Sequence, residues 1–262
     1  SNVLPNLVAA LESIGVDDVA AMVVTHIHLD HAGGAGHFSA RYPGADIGVH
    51  TAGARHLVDP SRLWDSAERI YTPAGMQSLW GPMEPVPEER LLVLDEGSAI
   101  TLGGGRQLEV MYTPGHAKHH IVFTEDVSGG MFVGDSMGIA FPHGHMVQPV
   151  TPPPDFAEPL VVEQLRRMSA RQPSFVGFAH YGVSREVARV FDEAEARLGE
   201  WVSFVESLGD EPDAVERLRE WVLAAYRSEG LDEDDIEQYD LNTFWPMQVT
   251  GIQRWLSIRD RR

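Results

Sequence analysis

Residues 25–34 read Thr-His-Ile-His-Leu-Asp-His-Ala-Gly-Gly, directly after the short, almost wholly apolar run Val19–Thr25. A run of that length and β-branched content reads as a buried strand. Three imidazoles and a carboxylate at its end constrain the fold more than any other stretch. The strand has to stop, the chain has to turn, and the polar side chains have to gather where they can be satisfied. On an extended strand His26 and His28 project to the same side, because side chains alternate with period two. A turn after Leu29 then brings Asp30 and His31 round to a second point nearby. Borderline and hard divalent cations accept this nitrogen and oxygen ligand set. The bland alternative is a polar surface loop that happens to be rich in histidine, but so dense a cluster seldom arises by chance.

Together with Thr113-Pro114-Gly115-His116, Phe132-Val133-Gly134-Asp135 and Phe178-Ala179-His180-Tyr181-Gly182, this run resembles the ordered motifs of the metallo-β-lactamase superfamily over roughly Val19 to Gly182. The resemblance implies an α/β fold, a four-layer αββα sandwich. It also implies two divalent cations, zinc first, with iron or manganese as alternatives. One metal would be held by His26, His28 and His116, the other by Asp30, His31 and His180, with Asp135 bridging both. Six ligands and one bridging carboxylate can hold two cations about 3.5–4 Å apart with positions left open for water. A hydroxide shared by two such cations is a strong nucleophile near neutral pH, and the same cations polarise a carbonyl or phosphoryl oxygen. That is the chemistry of a hydrolase. In it, Tyr181 or the second metal would steady the developing oxyanion, with core packing or a backbone hydrogen bond an equal reading of Tyr181. Asp30 or a water on it would pass a proton to the leaving group.

Members of the family usually begin with several strands before the first motif, whereas here only a helix precedes Val19, so the N-terminal strands of the sheet are expected to be missing from this chain. The family's true β-lactamases use a cysteine ligand or lack the bridging aspartate. This chain has no cysteine and keeps Asp135, so antibiotic hydrolysis is not expected. The pattern is closest to the glyoxalase II and lactonase branch, which cleaves esters, thioesters and lactones of small molecules. The alternatives are a phosphodiester hydrolase on the same two metals, a persulfide-dioxygenase-like enzyme with one iron, and a non-catalytic metal-binding sensor.

Along the chain, a helix fits Leu4–Ile14, a strand Ile47–Val49, helix most of Ala52–Tyr71, and a surface loop the proline-containing stretch Gly75–Glu89. Strands follow over Leu91–Leu94, Ala99–Leu102, Gln107–Tyr112, Ile121–Thr124, Met131–Val133 and Ser174–Phe178, with a helix over Phe156–Ala170 that Asp155 could cap. From Ser184 the pattern is helical almost to the end. The expected organisation is a metallo-hydrolase core over residues 1–183 and a helical C-terminal extension over 184–262.

Other residues carry weaker signals. His119 or His120 could orient a metal ligand or simply pack. Lys118, the lone lysine, could attract an anion or sit in an exposed turn. His143 and His145 could line a substrate channel, with a surface loop the better reading, and His37, His50 and His56 read as structural. Gly103-Gly104-Gly105 reads as a hairpin turn and Asp232-Glu233-Asp234-Asp235 as the acidic first turn of a helix. The aromatics Trp201, Phe204, Trp221, Tyr226, Phe244, Trp245 and Trp255 read as core, with a lid or a homodimer contact through the C-terminal helices as the alternative.

Composition narrows the partners. Against 39 acidic residues stand 20 basic ones, a formal charge of −19. Such a surface repels phosphate backbones and anionic lipid, so a small-molecule substrate is expected and neither nucleic acid nor membrane. The first residues show no signal peptide, which leaves the cytoplasm as the default location.

Overall fold

A computed structural model describes residues 4–141, 146–180 and 182–261, and the chain divides into two units, residues 1–98 and 99–262. In the first unit, helix α1 (Leu4–Ser13) precedes strand β1 (Ala21–Val23), the short helices α2 (Leu29–Ala32) and α3 (Ala35–Arg41), and strand β2 (Asp46–His50). Helices α4 (Thr51–Val58) and α5 (Ser61–Leu79) lead to strand β3 (Leu91–Leu94). The strands form a parallel sheet in the order β1-β2-β3. The central strand β2 is buried from Ile47 to His50. A parallel strand covered on both faces needs a continuous apolar run, and Ile-Gly-Val supplies one. Val24, Ile27, Phe38, Ile47, Val49 and Leu57 share one core cluster. Each such side chain contributes about 1.5–3 kcal/mol by leaving water.

The stretch Ala52–Tyr71 is mostly helical as expected, in two helices separated at Asp59 and Pro60. The loop expected from Gly75 is helical as far as Leu79, although α5 breaks at Thr72, whose φ is 62° and ψ 158°. Pro73 lacks an amide hydrogen and clashes with the preceding turn, so the helix stops there and starts again. Local proline content is a fair sign of the break and a poor guide to the helical turns beyond it.

The second unit opens with β4 (Ala99–Gly103), β5 (Arg106–Tyr112), β6 (Ile121–Glu125) and β7 (Gly130–Gly134). Then come β8 (Ile139–Ala140), β9 (Val147–Gln148), helix α6 (Glu158–Ala170), β10 (Phe175–Phe178) and β11 (Gly182–Ser184). The large sheet runs β11-β10-β7-β6-β5-β4 and is mixed: β10 is parallel to β7 and its other neighbours are antiparallel. Gly103, Gly104 and Gly105, all at positive φ, turn β4 into β5 as the hairpin reading required. Helices α7 (Val187–Leu208), α8 (Ala214–Ser228), α9 (Glu233–Leu241) and α10 (Trp245–Arg259) complete the chain.

One hydrophobic cluster joins Met131, Val133 and Val176 of the sheet to Leu165 of α6 and Trp201 of α7. It also takes in Tyr226 and Ile252 of α8 and α10. Trp201 and Trp245 stack at 5.6 Å, and Phe204 stacks on Trp221 at 4.5 Å. The helical aromatics are therefore mostly core, with Phe244 exposed. Asp232 caps α9 by accepting a hydrogen bond from the Asp235 amide at 2.8 Å, which accounts for the acidic run. Asp155 does not cap α6, which starts three residues later after Ala157. Its carboxylate instead holds Lys118, accepting from the Lys118 amide at 3.2 Å and pairing with Nζ at 2.6 Å. An α/β chain with a mixed sheet and a helical C-terminal region is what the sequence led us to expect. No described helix is long and apolar enough to cross a membrane.

Candidate metal centre

The expected ligands of the first unit lie just past β1. The Val24 amide still donates to Gly48 O at 2.9 Å, after which the chain leaves the sheet. Ile27 and Leu29 are buried apolar residues, and beside them His26 is fully buried and His28 half-buried. His28 then serves as the first residue of a tight helical start, its carbonyl accepting from the His31 and Ala32 amides. That single turn carries Asp30 and His31. The result is a cluster: the His26 ring lies 4.6 Å from His28 and 4.0 Å from His31, and His31 Nε2 is 3.3 Å from Asp30 Oδ2. His26 Nδ1 pairs with Thr25 Oγ1 at 3.0 Å, which leaves Nε2 as the nitrogen for a ligand.

α5 adds a residue that the sequence motifs do not mark. Burial, and after it the negative charge of Asp30, pushes the Tyr71 hydroxyl above its ordinary range, so it remains a proton donor at neutral pH. The two residues are far apart in the chain, and no local pattern links them.

The second unit carries His116, Asp135 and His180, each just beyond a strand. Gly115 precedes His116 at φ 138°, and a Cβ there would lie 2.7 Å from Val161 N and 2.8 Å from Val161 Cγ2. Only glycine allows the turn to approach α6 this closely. The turn closes on itself, with the Thr113 amide donating to His120 O at 3.0 Å, and the Ala157 amide donating to Gly115 O at 2.9 Å. His116 Nδ1 faces Val150 O at 3.2 Å. A carbonyl can only accept, so Nδ1 carries the proton and Nε2 presents a lone pair. Gly134 at φ 52° turns the chain off β7 and presents Asp135.

The Asp135 carboxylate lies between two imidazoles, Oδ2 at 3.6 Å from His116 Nε2 and Oδ1 at 3.6 Å from His180 Nε2. One carboxylate oxygen faces each histidine. A cavity of about 10 Å³ beside His116 and Asp135, walled by Met137, Phe156, Val161 and Leu165, has room for a single water and none for a substrate.

Each unit thus carries residues of the types that hold metal ions, His26, His28, Asp30 and His31 in the first and His116, Asp135 and His180 in the second. Their chemistry suits a metal ion: imidazole nitrogens together with carboxylates, of which Asp135 is buried and would be neutralised by a cation.

Among the other expected residues, Tyr181, His143 and His145 lie outside the described residues. His120 is fully buried and bonded to Thr113, Asp135 and Ser136, whereas His119 is only half-buried. Lys118 is exposed and paired with Asp155. His50 caps α4, its Nδ1 accepting from the Ala52 amide at 3.2 Å, and burial lowers the pKa of His37, His50 and His56.

The family model of the metallo-beta-lactamase superfamily matches residues 4–193. The archaeal metallo-beta-lactamase fold-containing protein ST1585 of Sulfurisphaera tokodaii is 31% identical over 173 residues, 64% of this chain and 62% of its own. The acyl-coenzyme A thioesterase MBLAC2 of Gallus gallus is 34% identical over 119 residues, 43% of this chain and 40% of its own. The chain thus spans less than two thirds of the length of these curated relatives. Among solved structures, the metallo-beta-lactamase family protein TTHA1429 from Thermus thermophilus matches with a TM-score of 0.68 at 20% identity, covering 98% of this chain and 81% of that one. At that identity the likeness speaks for the fold. The family model covers well over half the chain and includes all seven ligand candidates, so the chain belongs to the metallo-β-lactamase superfamily.

Proposed function

We propose that the chain is a metal-dependent hydrolase that holds two divalent cations and cleaves a thioester, ester or lactone of a small molecule, an acyl thioester first. The observation that carries the reading is the Asp135 carboxylate with one oxygen toward each of two histidines, His116 and His180. The ligand division implied by the family motifs assigns His26, His28 and His116 to one cation, Asp30, His31 and His180 to the other, and Asp135 to both. Two divalent cations, when bound, supply Lewis acidity at the acyl oxygen and lower the pKa of water toward neutrality. The protein's own residues do the rest. The Val150 carbonyl selects the ring nitrogen that His116 presents, and the Thr25 hydroxyl occupies Nδ1 of His26. The Asp30 side chain is 38% exposed against 4% for Asp135, which suits it to exchange a proton with a leaving group. A thioester is favoured because relatives of this part of the chain carry the name acyl-coenzyme A thioesterase.

The test is elemental analysis of the native protein followed by a panel of acyl thioester, lactone and phosphodiester substrates. About two divalent ions per chain are expected, with zinc foremost, and thioester hydrolysis that a chelator abolishes and zinc restores. Preferred turnover of the phosphodiester would replace the substrate assignment. A metal-free protein, or full activity in Asp135→Ala, would sink the reading altogether.

A further inference from the structure

His120 closes the turn that starts at Thr113, is fully buried, and has two ring nitrogens that face different partners. Nε2 lies 3.1 Å from the Asp135 main-chain nitrogen, which can only donate. Nε2 is therefore an acceptor, and Nδ1 carries the ring proton. That proton points at two hydroxyls, Thr113 Oγ1 at 2.8 Å and Ser136 Oγ at 2.9 Å, and Ser136 Oγ donates onward to Thr113 Oγ1 at 3.1 Å. The same logic excludes a nucleophilic Ser136–His120 pair, because the nitrogen that faces Ser136 already bears a proton and cannot take another.

Asp135 sits where the sheet has ceased to hold the chain. Gly134 is at positive φ, the Ser136 amide turns back to Val133 O at 3.1 Å, and the Gly138 amide donates to Asp135 O at 3.0 Å. In such a turn the direction of the carboxylate depends on how the Asp135 peptide is oriented, and His120 grips that peptide by its N–H. The geometry assigns His120 as a positioning residue: through the Asp135 amide it fixes the carboxylate that faces His116 and His180, and it does so as one neutral tautomer locked by Thr113 and Ser136. This inference rests on the proposal that Asp135 binds metal. It attributes to His120 a share of the metal affinity without contact to the metal.

Two amides separate this role from simple packing. Glutamine at position 120 reaches as far as Nε2 and can still accept from the Asp135 amide. Asparagine reaches only as far as Nδ1, so it keeps the hydroxyls and loses that amide. Zinc affinity is measured on the full chain by competition with a chromophoric chelator, alongside the melting temperature of the metal-free proteins. His120→Asn is expected to weaken zinc binding by about 10–100-fold, and His120→Gln by no more than about threefold. Wild-type zinc affinity in His120→Asn, when Asp135→Ala has lost zinc, would overturn the inference and leave the metal proposal standing. Wild-type affinity in Asp135→Ala would overturn the metal proposal itself. Should either amide variant fail to fold, histidine ¹⁵N spectra of the wild-type chain decide. A proton on His120 Nδ1 supports the assignment, and one on Nε2 overturns it.

Discussion

Gly115→Ala puts the packing of the His116 turn to the test with a single methyl group. The added Cβ would sit 2.7 Å from Val161 N, 2.8 Å from Val161 Cγ2 and 3.0 Å from Val161 Cα, where ordinary contact begins near 3.4 Å. Two of these atoms are main-chain atoms of α6, so no side-chain rotation relieves the clash. The turn or the helix must move by up to about 0.7 Å to restore ordinary contact, at about 1–3 kcal/mol for overpacking. The φ of 138° adds backbone strain of about 1–3 kcal/mol for a residue with a Cβ. A loss of about 2–6 kcal/mol corresponds to roughly 5–20 °C in melting temperature for a unit of this size. The assay is thermal unfolding of the metal-free protein by near-ultraviolet circular dichroism, so that no metal affinity enters. Gly199→Ala is the matched control: it lies inside α7, nothing stands within 4 Å of its added methyl, and it should stabilise by about 0.5–1 kcal/mol. Opposite signs are expected for the two substitutions. A Gly115→Ala protein that melts at the wild-type temperature would refute the argument, since neither clash nor strain could then be real.

Three further outcomes are expected in other parts of the molecule. The buried Arg197 donates to Glu193 at 2.8 Å and Glu229 at 2.6 Å and lies 5.3 Å from the Tyr226 ring centre. Arg197→Met leaves the Glu193 carboxylate with Arg189 and the Val147 amide and without its buried cation, and should cost about 2–4 kcal/mol, read by urea unfolding. No change would mean that the pair contributes nothing. The Glu125 carboxyl is held well below its ordinary value of 4.5, chiefly by Arg106 and next by Ser128. A depressed folded-state pKa gives stability that is present above pH 4.5 and lost as the pH falls through the lower value. The stability gap between wild type and Glu125→Gln should therefore narrow in acid, and a gap independent of pH speaks against the ion pair. Tyr181→Phe should lower kcat by about 10²-fold with KM little changed if its hydroxyl steadies an oxyanion; an unchanged kcat removes it from the reaction.

The legible part of this protein was the part written locally. His26, His28, Asp30 and His31 lie within six residues, and period-two alternation followed by a tight turn is enough to gather them. The hairpin at Gly103–Gly105 and the acidic helix start at 232–235 were legible for the same reason, since the residues involved are one to three positions apart. Family motifs extended that reach to His116, Asp135 and His180, because each stands beside a glycine or a strand end that marks it.

What stayed hidden depends on residues distant in sequence. Asp155 looked like a helix cap by position, yet the fold brings it to Lys118, and α6 begins without it. The prolines of Gly75–Glu89 suggested a loop from Gly75 and hid the helical turns that run to Leu79, which the burial of Met76 sustains. Val150 selects the His116 tautomer across 34 residues, and His120 reaches Asp135 across 15. Sequence alone determined which donors exist and which of them neighbour one another along the chain. Tertiary structure decided which nitrogen each histidine presents and which peptide holds each carboxylate, because a hydrogen bond depends on distance and direction in space, and the order of residues fixes those only over a turn or two.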